Sequence, residues 1–371
     1  MARLEFTSMS GVNMDFIMSE DKSARQIVEF LNSEASVRSF GDTLRSVCPG
    51  EELSRRLIKG LSRLNAEDEG SVSRKVRNWL NGKNVPKDRE TLFQICFILE
   101  AGLEGTAKIL GMAEENNIHY RNPKELVYAY ALKMGRSYEQ AQALLQYTGA
   151  AELAGAAVPA AESTAVYTEQ IRADFEMVDN DDALAAFFRE NRDKFGHLHN
   201  TAFKVFDTLL ARLKHPESMA GVKEEVYSVD DVVDAYFRMG MPMTKKSGGF
   251  SLCQRVVKKY WPGSKNIIHI QNRREDVSRK VLILLALITE LADELAAGED
   301  EEMYDILCEE DEQQRLLRLI QEMNALLEDC GMSHLDPCCP FDFLVIYAMR
   351  GTEEGMSARM EAVIRQLFAE A

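Results

Sequence analysis

The chain lacks the features that mark secreted and membrane proteins. It has seven cysteines in 371 residues, an odd number without the spacing of a disulfide framework, which fits reduced thiols in a cytoplasm. No N-terminal segment combines basic residues with the apolar stretch that a secretion signal needs. The longest apolar run, VLILLALI at residues 281–288, is far too short to cross a bilayer. We therefore expect a cytoplasmic protein that does not engage a membrane.

Signatures of catalysis are also missing. Gly248 and Gly249 stand alone, without the spacing of a phosphate-binding loop, and neither Gly-x-Ser-x-Gly nor His-Glu-x-x-His occurs. His197 and His199 form a His-x-His pair, but no carboxylate or cysteine beside them completes a ligand set, so capping and packing roles are favoured. The sequence therefore predicts no enzyme and no cofactor.

One loop is rich in soft ligands. The segment CGMSHLDPCC contains Cys330, His334, Cys338 and Cys339. Such a loop could hold zinc, but adjacent cysteines rarely bind one ion together, and the C-x-x-C pairing is absent. We favour a turn with small apolar cysteines and predict no metal.

Apolar residues recur with helical spacing along most of the chain, and EEVYSV at residues 224–229 is the only weak strand candidate. We therefore predict an all-α fold, or nearly so. A chain of this length should form two or three domains. The predicted division places residues 1–20 without fixed structure, a first domain at 21–148, an Ala-rich linker at 149–165 and a larger helical C-terminal domain at 166–371, with a possible sub-boundary near 215–225.

The net charge of −16 is unevenly distributed. Residues 290–371 hold 21 acidic and 5 basic side chains, so the other residues balance to zero, with 39 of each sign. Residues 71–89 carry 6 basic side chains against 1 acidic, and residues 245–280 carry 10 against 2. An acidic total therefore does not exclude nucleic acid as a partner.

The most informative segment is VSRKVRNWLNGKNVPKDRETLFQICFIL, residues 72–99. Its first apolar residues fall at i, i+4, i+7 and i+8 and predict one buried helix face, formed by Val72, Val76, Trp79 and Leu80. Gly82 is placed to end this helix, and Pro86 prevents its continuation. The next apolar set predicts a packing helix through Leu92, Ile95, Cys96 and Leu99. The pattern is typical of a helix hairpin whose first helix offers polar groups to a partner.

With VRNWLNGK, VP and ETLFQICFIL in this order, the segment resembles the Xre-like helix-turn-helix family, the Cro and lambda-repressor type. The resemblance covers residues 38–112, about a fifth of the chain. The family's first helix would map onto SVRSFGDTLRSV, its second onto GEELSRRLIKGLSRL and its fifth onto LEGTAKILGM. The resemblance implies a five-helix DNA-binding domain that acts as a homodimer on paired half-sites.

The third helix of such a domain would read double-stranded DNA. Candidates for base-edge contact project away from its apolar face, and they are Ser73, Arg74, Lys75, Arg77 and Asn78. Asn81 and Lys83 lie beyond the helix end and are candidates for phosphate contact. One departure matters, because the family joins its second and third helices by three or four residues. Here NAEDEGS follows Leu64, and its carboxylates at residues 67–69 would repel phosphate.

Two functions remain open on these observations. The first is a sequence-specific DNA-binding protein, a transcriptional regulator whose C-terminal domain mediates dimerisation, partner binding or sensing. The second is a non-enzymatic interaction protein, of the mobile-element or phage-defence type, in which the helix-turn-helix docks protein. Retention of specific DNA sequences would distinguish them.

Basic residues interleaved with aromatic ones form a second candidate surface around Lys258, Lys259, Arg273 and Arg274. Three interpretations remain open: contact with nucleic acid, neutralisation by the acidic C-terminal region, and a solvated face.

Overall fold

The computed structural model describes residues 8–86, 88–114, 117–155, 167–195, 200–215, 227–243, 249–290, 311–350 and 354–369. Within these ranges no strand occurs and the regular elements are helices, so the predicted all-α class is confirmed. The weak strand candidate lies partly outside them, and its described end caps a helix that begins at Val229. None of the helices described combines the length and apolarity that a bilayer crossing needs.

The helices are numbered here in chain order. They are α1 (Ser8–Ser19), α2 (Ala24–Ser33), α3 (Phe40–Val47), α4 (Leu53–Asn65), α5 (Glu69–Leu80), α6 (Arg89–Leu99), α7 (Gly102–Glu114), α8 (Pro123–Lys133), α9 (Tyr138–Tyr147), α10 (Ala150–Gly155), α11 (Tyr167–Glu176), α12 (Asp181–Glu190), α13 (Asn200–Lys214), α14 (Val229–Val232, continued by a π-helical turn Val233–Phe237), α15 (Leu252–Lys258), α16 (Ser264–Gln271), α17 (Arg279–Ile288), α18 (Glu312–Asp329), α19 (Pro340–Arg350) and α20 (Met356–Leu367).

These helices belong to two compact units. The first unit comprises residues 38–201 with 328–333, and the second comprises residues 1–37, 202–327 and 334–371. In the first unit, α4 packs against both α5 and α6, and α3 packs against α5 and α7. In the second unit, α2 packs against α20 and α1 against α19. Helix α2 therefore joins the second unit, although the sequence assigned it to the first domain.

The N-terminal helix α1 was not predicted from the sequence. Residues 1–20 were predicted to lack fixed structure because they show no apolar period, yet residues 8–19 form α1. Met14 and Ile17 are buried, and the Asn13 amide donates to the carbonyls of Ser36 (3.0 Å) and Pro337 (2.8 Å). Contacts with distant segments of the chain stabilise this helix, and a sequence period does not record them.

The boundary after the first unit also differs from the predicted one. The hydrophobic core that begins at Phe40 continues through Phe175, Phe187 and Phe195, so α11 and α12 complete the first unit. Tyr120 meets Phe175 edge to face at a centroid distance of 6.2 Å. In the predicted linker, residues 150–155 form α10, while residues 156–166 lie outside the described residues. The phenylalanines account for this grouping, because they belong to the same buried cluster as the core residues of the preceding helices.

Candidate nucleic-acid interface

The apolar stripe of α5 is buried as the sequence predicts. Val72, Val76 and Trp79 are buried, and Leu80 is half-buried against the same core. The helix ends at Leu80, and Gly82, just beyond the C-cap, has a φ of +65°. The Lys83 N–H donates to the Asn78 carbonyl (2.9 Å). Glycine adopts this left-handed conformation without the cost that a Cβ imposes. One face of α5 is therefore fixed in the core, and the other is available to a partner.

The predicted base-edge candidates lie on that other face. Arg74, Lys75 and Arg77 are exposed, and Ser73 and Asn78 are half-buried at its edges. Among the described residues, Arg74 and Arg77 have no carboxylate partner. Their guanidinium groups are thus presented to solvent from a rigid helix, in the arrangement that a major groove accepts.

The acidic connection before α5 is shorter than the sequence indicated. Helix α4 ends at Asn65 and α5 begins at Glu69, so the turn is the three residues Ala66, Glu67 and Asp68. Ala66 closes α4 in the left-handed conformation with a φ of +51°. The expected departure from the family's turn length is therefore wrong, because residues predicted to be loop form the first turn of α5.

The carboxylates of this turn have structural partners. Asp68 is the N-cap of α5, and its side chain accepts from the Ser71 N–H at 3.1 Å. Glu67 pairs with Lys75 across 2.6 Å. Glu69 lies in the first turn of α5, where a negative charge is favoured by the helix dipole. These contacts stabilise the start of the helix, and the Glu67 pair ties one of the five base-edge candidates to a carboxylate.

Asn81 and Lys83, the predicted phosphate candidates, are both exposed just beyond the end of α5. The Asn81 N–H donates to the Arg77 carbonyl at 3.0 Å, so Asn81 is the C-cap residue. The structure thus brings all seven candidates of residues 73–83 onto one helix and the turn that follows it.

Helix α3 holds the C-terminal end of α5, a role that the sequence did not reveal. Arg45 donates from Nη2 to the Leu80 carbonyl at 2.9 Å, and from Nη1 to Asp42 at 3.1 Å. Burial by itself would raise the pKa of Asp42, but hydrogen bonds from Ser39 and Arg45 bring it below its usual value. Gly41 lies against the same carbonyl, since a Cβ added there would be 2.3 Å from the Leu80 oxygen.

Helix α4 adds a row of cations that sequence reasoning missed. Arg55, Lys59 and Arg63 are exposed and spaced at i, i+4 and i+8, which places them on one side of the helix. Arg55 pairs with Glu52, and Arg63 pairs with Glu139 at 3.0 Å. The regular spacing of basic residues in RRLIKGLSR was the available signal. In helix-turn-helix proteins the helix before the reader crosses the DNA backbone, where such cations meet phosphate.

The second basic patch belongs to the second unit, and its four residues differ in their surroundings. Arg273 pairs with Asp207 at 2.5 Å and covers the Phe203 ring at 4.1 Å. The amines of Lys258 and Lys259 lie over the rings of Phe250 and Tyr260, at 4.7 and 4.6 Å. Arg274 is exposed.

No group of three or more His, Cys, Asp or Glu side chains is placed to hold a metal ion in the part of the chain that the structure describes. His197 and His199 lie outside that part. In the CGMSHLDPCC loop, Cys330 and Cys338 are buried. Comparison with protein-family models, curated proteins and solved structures finds no match to the chain.

Proposed function

We propose that the protein binds double-stranded DNA sequence-specifically, as a cytoplasmic transcriptional regulator without catalytic activity. The observation that carries the proposal is the solvent-facing side of α5. Arg74 and Arg77 project there from a helix whose opposite side is buried, behind a three-residue turn. The major groove accepts a helix of this kind and presents a distinct donor and acceptor pattern for each base pair.

Chemistry suggests a role for each side chain of this helix. Arg74 and Arg77 have the planar fork that pairs bidentately with guanine, and Asn78 has the amide that pairs with adenine. Ser73 and Lys75 would add single contacts, the latter after leaving Glu67. Asn81, Lys83 and the α4 cation Lys59 would bind phosphate and set the register of the helix.

A homodimer is part of the proposal, because the resemblance to Xre-like domains implies paired half-sites. Their centres would lie about 34–36 Å apart, one turn of the duplex. The second unit would then supply dimerisation, a protein-partner surface or signal sensing.

A protein-docking module is the second candidate function, and one observation favours it. Glu67, Asp68 and Glu69 stand at the N-terminal end of α5, where helix-turn-helix readers approach the bases. Carboxylates at this position would repel phosphate and attract a basic surface of a protein partner.

Selection from fragmented genomic DNA tests the proposal. The full-length protein is incubated with the fragments at physiological salt, and the retained DNA is sequenced. A sharp motif supports the regulator, whereas retention without a motif, or no retention, favours the docking module. The Arg77→Ala variant should relax the motif at one position, while Lys83→Ala should weaken binding evenly across sequences.

A further inference from the structure

The α15–α16 segment, residues 249–274, carries a concentrated positive charge. It contains six basic side chains and no acidic one, although the whole chain has a net charge of −16. The sequence interpretation centred on Lys258, Lys259, Arg273 and Arg274. Of these four, the structure retains Arg274 and adds Arg255 and Lys265, which are also exposed.

The backbone of this segment is anchored in the second unit. Ile267 and Ile270 bury one face of α16, and the Trp261 indole N–H donates to the Phe237 carbonyl at 2.7 Å. The buried Lys280 amine donates to the carbonyls of Val257 (3.0 Å) and Lys259 (2.5 Å), at the C-terminal end of α15. Side chains on the outer faces of α15 and α16 therefore project from a fixed frame, which reduces the entropy lost when they bind.

Besides Lys259 and Arg273, three cations of the segment are exposed on this frame. Arg255 lies on α15, Lys265 in the first turn of α16, and Arg274 just beyond its end. In the residues that the structure describes, Arg255 and Arg274 have no carboxylate partner. By contrast, Arg273 pairs with Asp207, and the amines of Lys258 and Lys259 lie over the rings of Phe250 and Tyr260.

Glu275, the carboxylate that follows Arg274 in the chain, is hydrogen-bonded to side chains of α16. Glu275 accepts from the Asn266 amide (2.8 Å) and lies 2.8 Å from His269 Nδ1. These hydrogen bonds lower its pKa below the usual value, and Lys265 contributes through its charge. Glu275 therefore interacts with side chains of α16 and forms no ion pair with Arg255 or Arg274.

We propose that three exposed cations on and beside α15 and α16, Arg255, Lys265 and Arg274, bind the phosphate backbone of duplex DNA. Lys265 lies in the first turn of α16 and Arg274 just beyond its last residue, and the eight residues of this helix span roughly 12 Å. A duplex presents several phosphates over such a length. Tyr260 is the exposed aromatic residue of the segment, whereas a single-strand groove uses a series of them.

The proposal goes beyond the role of α5 and does not depend on it. Each neutralised phosphate changes the slope of the logarithm of affinity against the logarithm of salt concentration by about 0.9. Loss of three contacts should therefore flatten that slope by up to about 2.7.

The test uses the full-length protein and a labelled duplex of random sequence, titrated over roughly 50 to 200 mM salt. The variant Arg255→Ala/Lys265→Ala/Arg274→Ala removes the three cations of the proposal. The matched control Arg25→Ala/Lys108→Ala/Arg189→Ala removes the same residue types from exposed positions on other helices. A third variant, Arg255→Lys/Arg274→Lys, keeps the charges but replaces the guanidinium groups with amines. Contacts that depend only on charge should survive this change.

The proposal predicts that the triple Ala variant flattens the slope and melts like the wild type, while the control and the Lys variant keep the wild-type slope. An unchanged slope in the triple Ala variant overturns the proposal. A lower melting temperature with intact DNA binding also overturns it, because that result would indicate that the acidic C-terminal region neutralises the patch. The proposed function of α5 is tested by a different result. It requires that the selected DNA motif is lost in Arg74→Ala/Arg77→Ala and is kept in the α15–α16 triple Ala variant.

Discussion

At the scale of single residues, Gly41 determines how closely α3 approaches the end of α5. A Cβ at this position would lie 2.3 Å from the Leu80 oxygen, a backbone atom that cannot turn away. We expect Gly41→Ala to destabilise the protein by about 1–3 kcal/mol, the usual cost of overpacking. Gly11→Ala, in α1, is the control, because no atom lies within 4 Å of its added Cβ. Urea unfolding should show a lower free energy of unfolding for Gly41→Ala. For Gly11→Ala this free energy should rise by up to about 1 kcal/mol, since alanine favours a helix.

Glu90 illustrates a pH-dependent contact in the first unit. The hydroxyls of Tyr128 and Tyr138 each donate to its Oε1 at 2.6 Å, and the Lys124 amine lies 2.5 Å from Oε2. Burial would raise the pKa of this carboxyl, but the three hydrogen bonds bring it below its usual value. A carboxyl with a lowered pKa stabilises the fold above its unfolded pKa, and the contribution is lost as the pH falls through the folded pKa.

Glu90→Gln should therefore destabilise the protein at pH 7, by about 1–3 kcal/mol for the disrupted hydrogen bonds. The difference from the wild type should shrink as the pH falls from about 5 to about 2, where the native carboxyl also becomes neutral. Urea midpoints measured across this range provide the check. A difference that stays constant with pH would show that Glu90 is not the titrating group.

At the scale of secondary-structure elements, Asp68 has two opposing effects. It caps α5 through the Ser71 N–H, and it places a negative charge beside the proposed DNA surface. Asparagine caps a helix as well as aspartate does, whereas alanine loses about 1 kcal/mol. We expect Asp68→Asn to keep the melting temperature and strengthen DNA binding, and Asp68→Ala to lower the melting temperature. If Asp68→Asn weakens DNA binding, the carboxylate does not face phosphate.

The periodicity of α5 shows what can be predicted from the sequence. Its buried stripe and its end at Gly82 follow from local rules, so both were predicted correctly. The start of the helix was missed, because its capping depends on Asp68 and Ser71 inside a stretch that reads as polar loop. The clamp by Arg45 was missed for another reason, since it joins residues 35 positions apart. Such pairings depend on the tertiary fold and leave no local period.

At the scale of the whole molecule, the packing of α11 and α12 alters what proteolysis should show. The Ala-rich stretch offers no apolar stripe, so limited proteolysis should cut first between Gly155 and Tyr167. Because Phe175, Phe187 and Phe195 belong to the core that begins at Phe40, the nicked pieces should stay associated in gel filtration. Prompt separation of the pieces would instead support the predicted division, with an independent domain from residue 166. Resistance of residues 130–185 as one block would exclude the linker.

The double variant Arg74→Ala/Arg77→Ala tests directly whether α5 reads DNA. Both side chains are exposed and have no carboxylate partner among the described residues, so their removal should leave the melting temperature unchanged. Each base contact is worth about 1–3 kcal/mol of discrimination, so the variant should lose the motif selected by the wild type. The matched control is Arg189→Ala/Arg192→Ala, which removes two exposed arginines that likewise have no carboxylate partner among the described residues and should keep the motif. A folded Arg74→Ala/Arg77→Ala protein that retains full affinity and the same motif would contradict the proposal that α5 reads DNA.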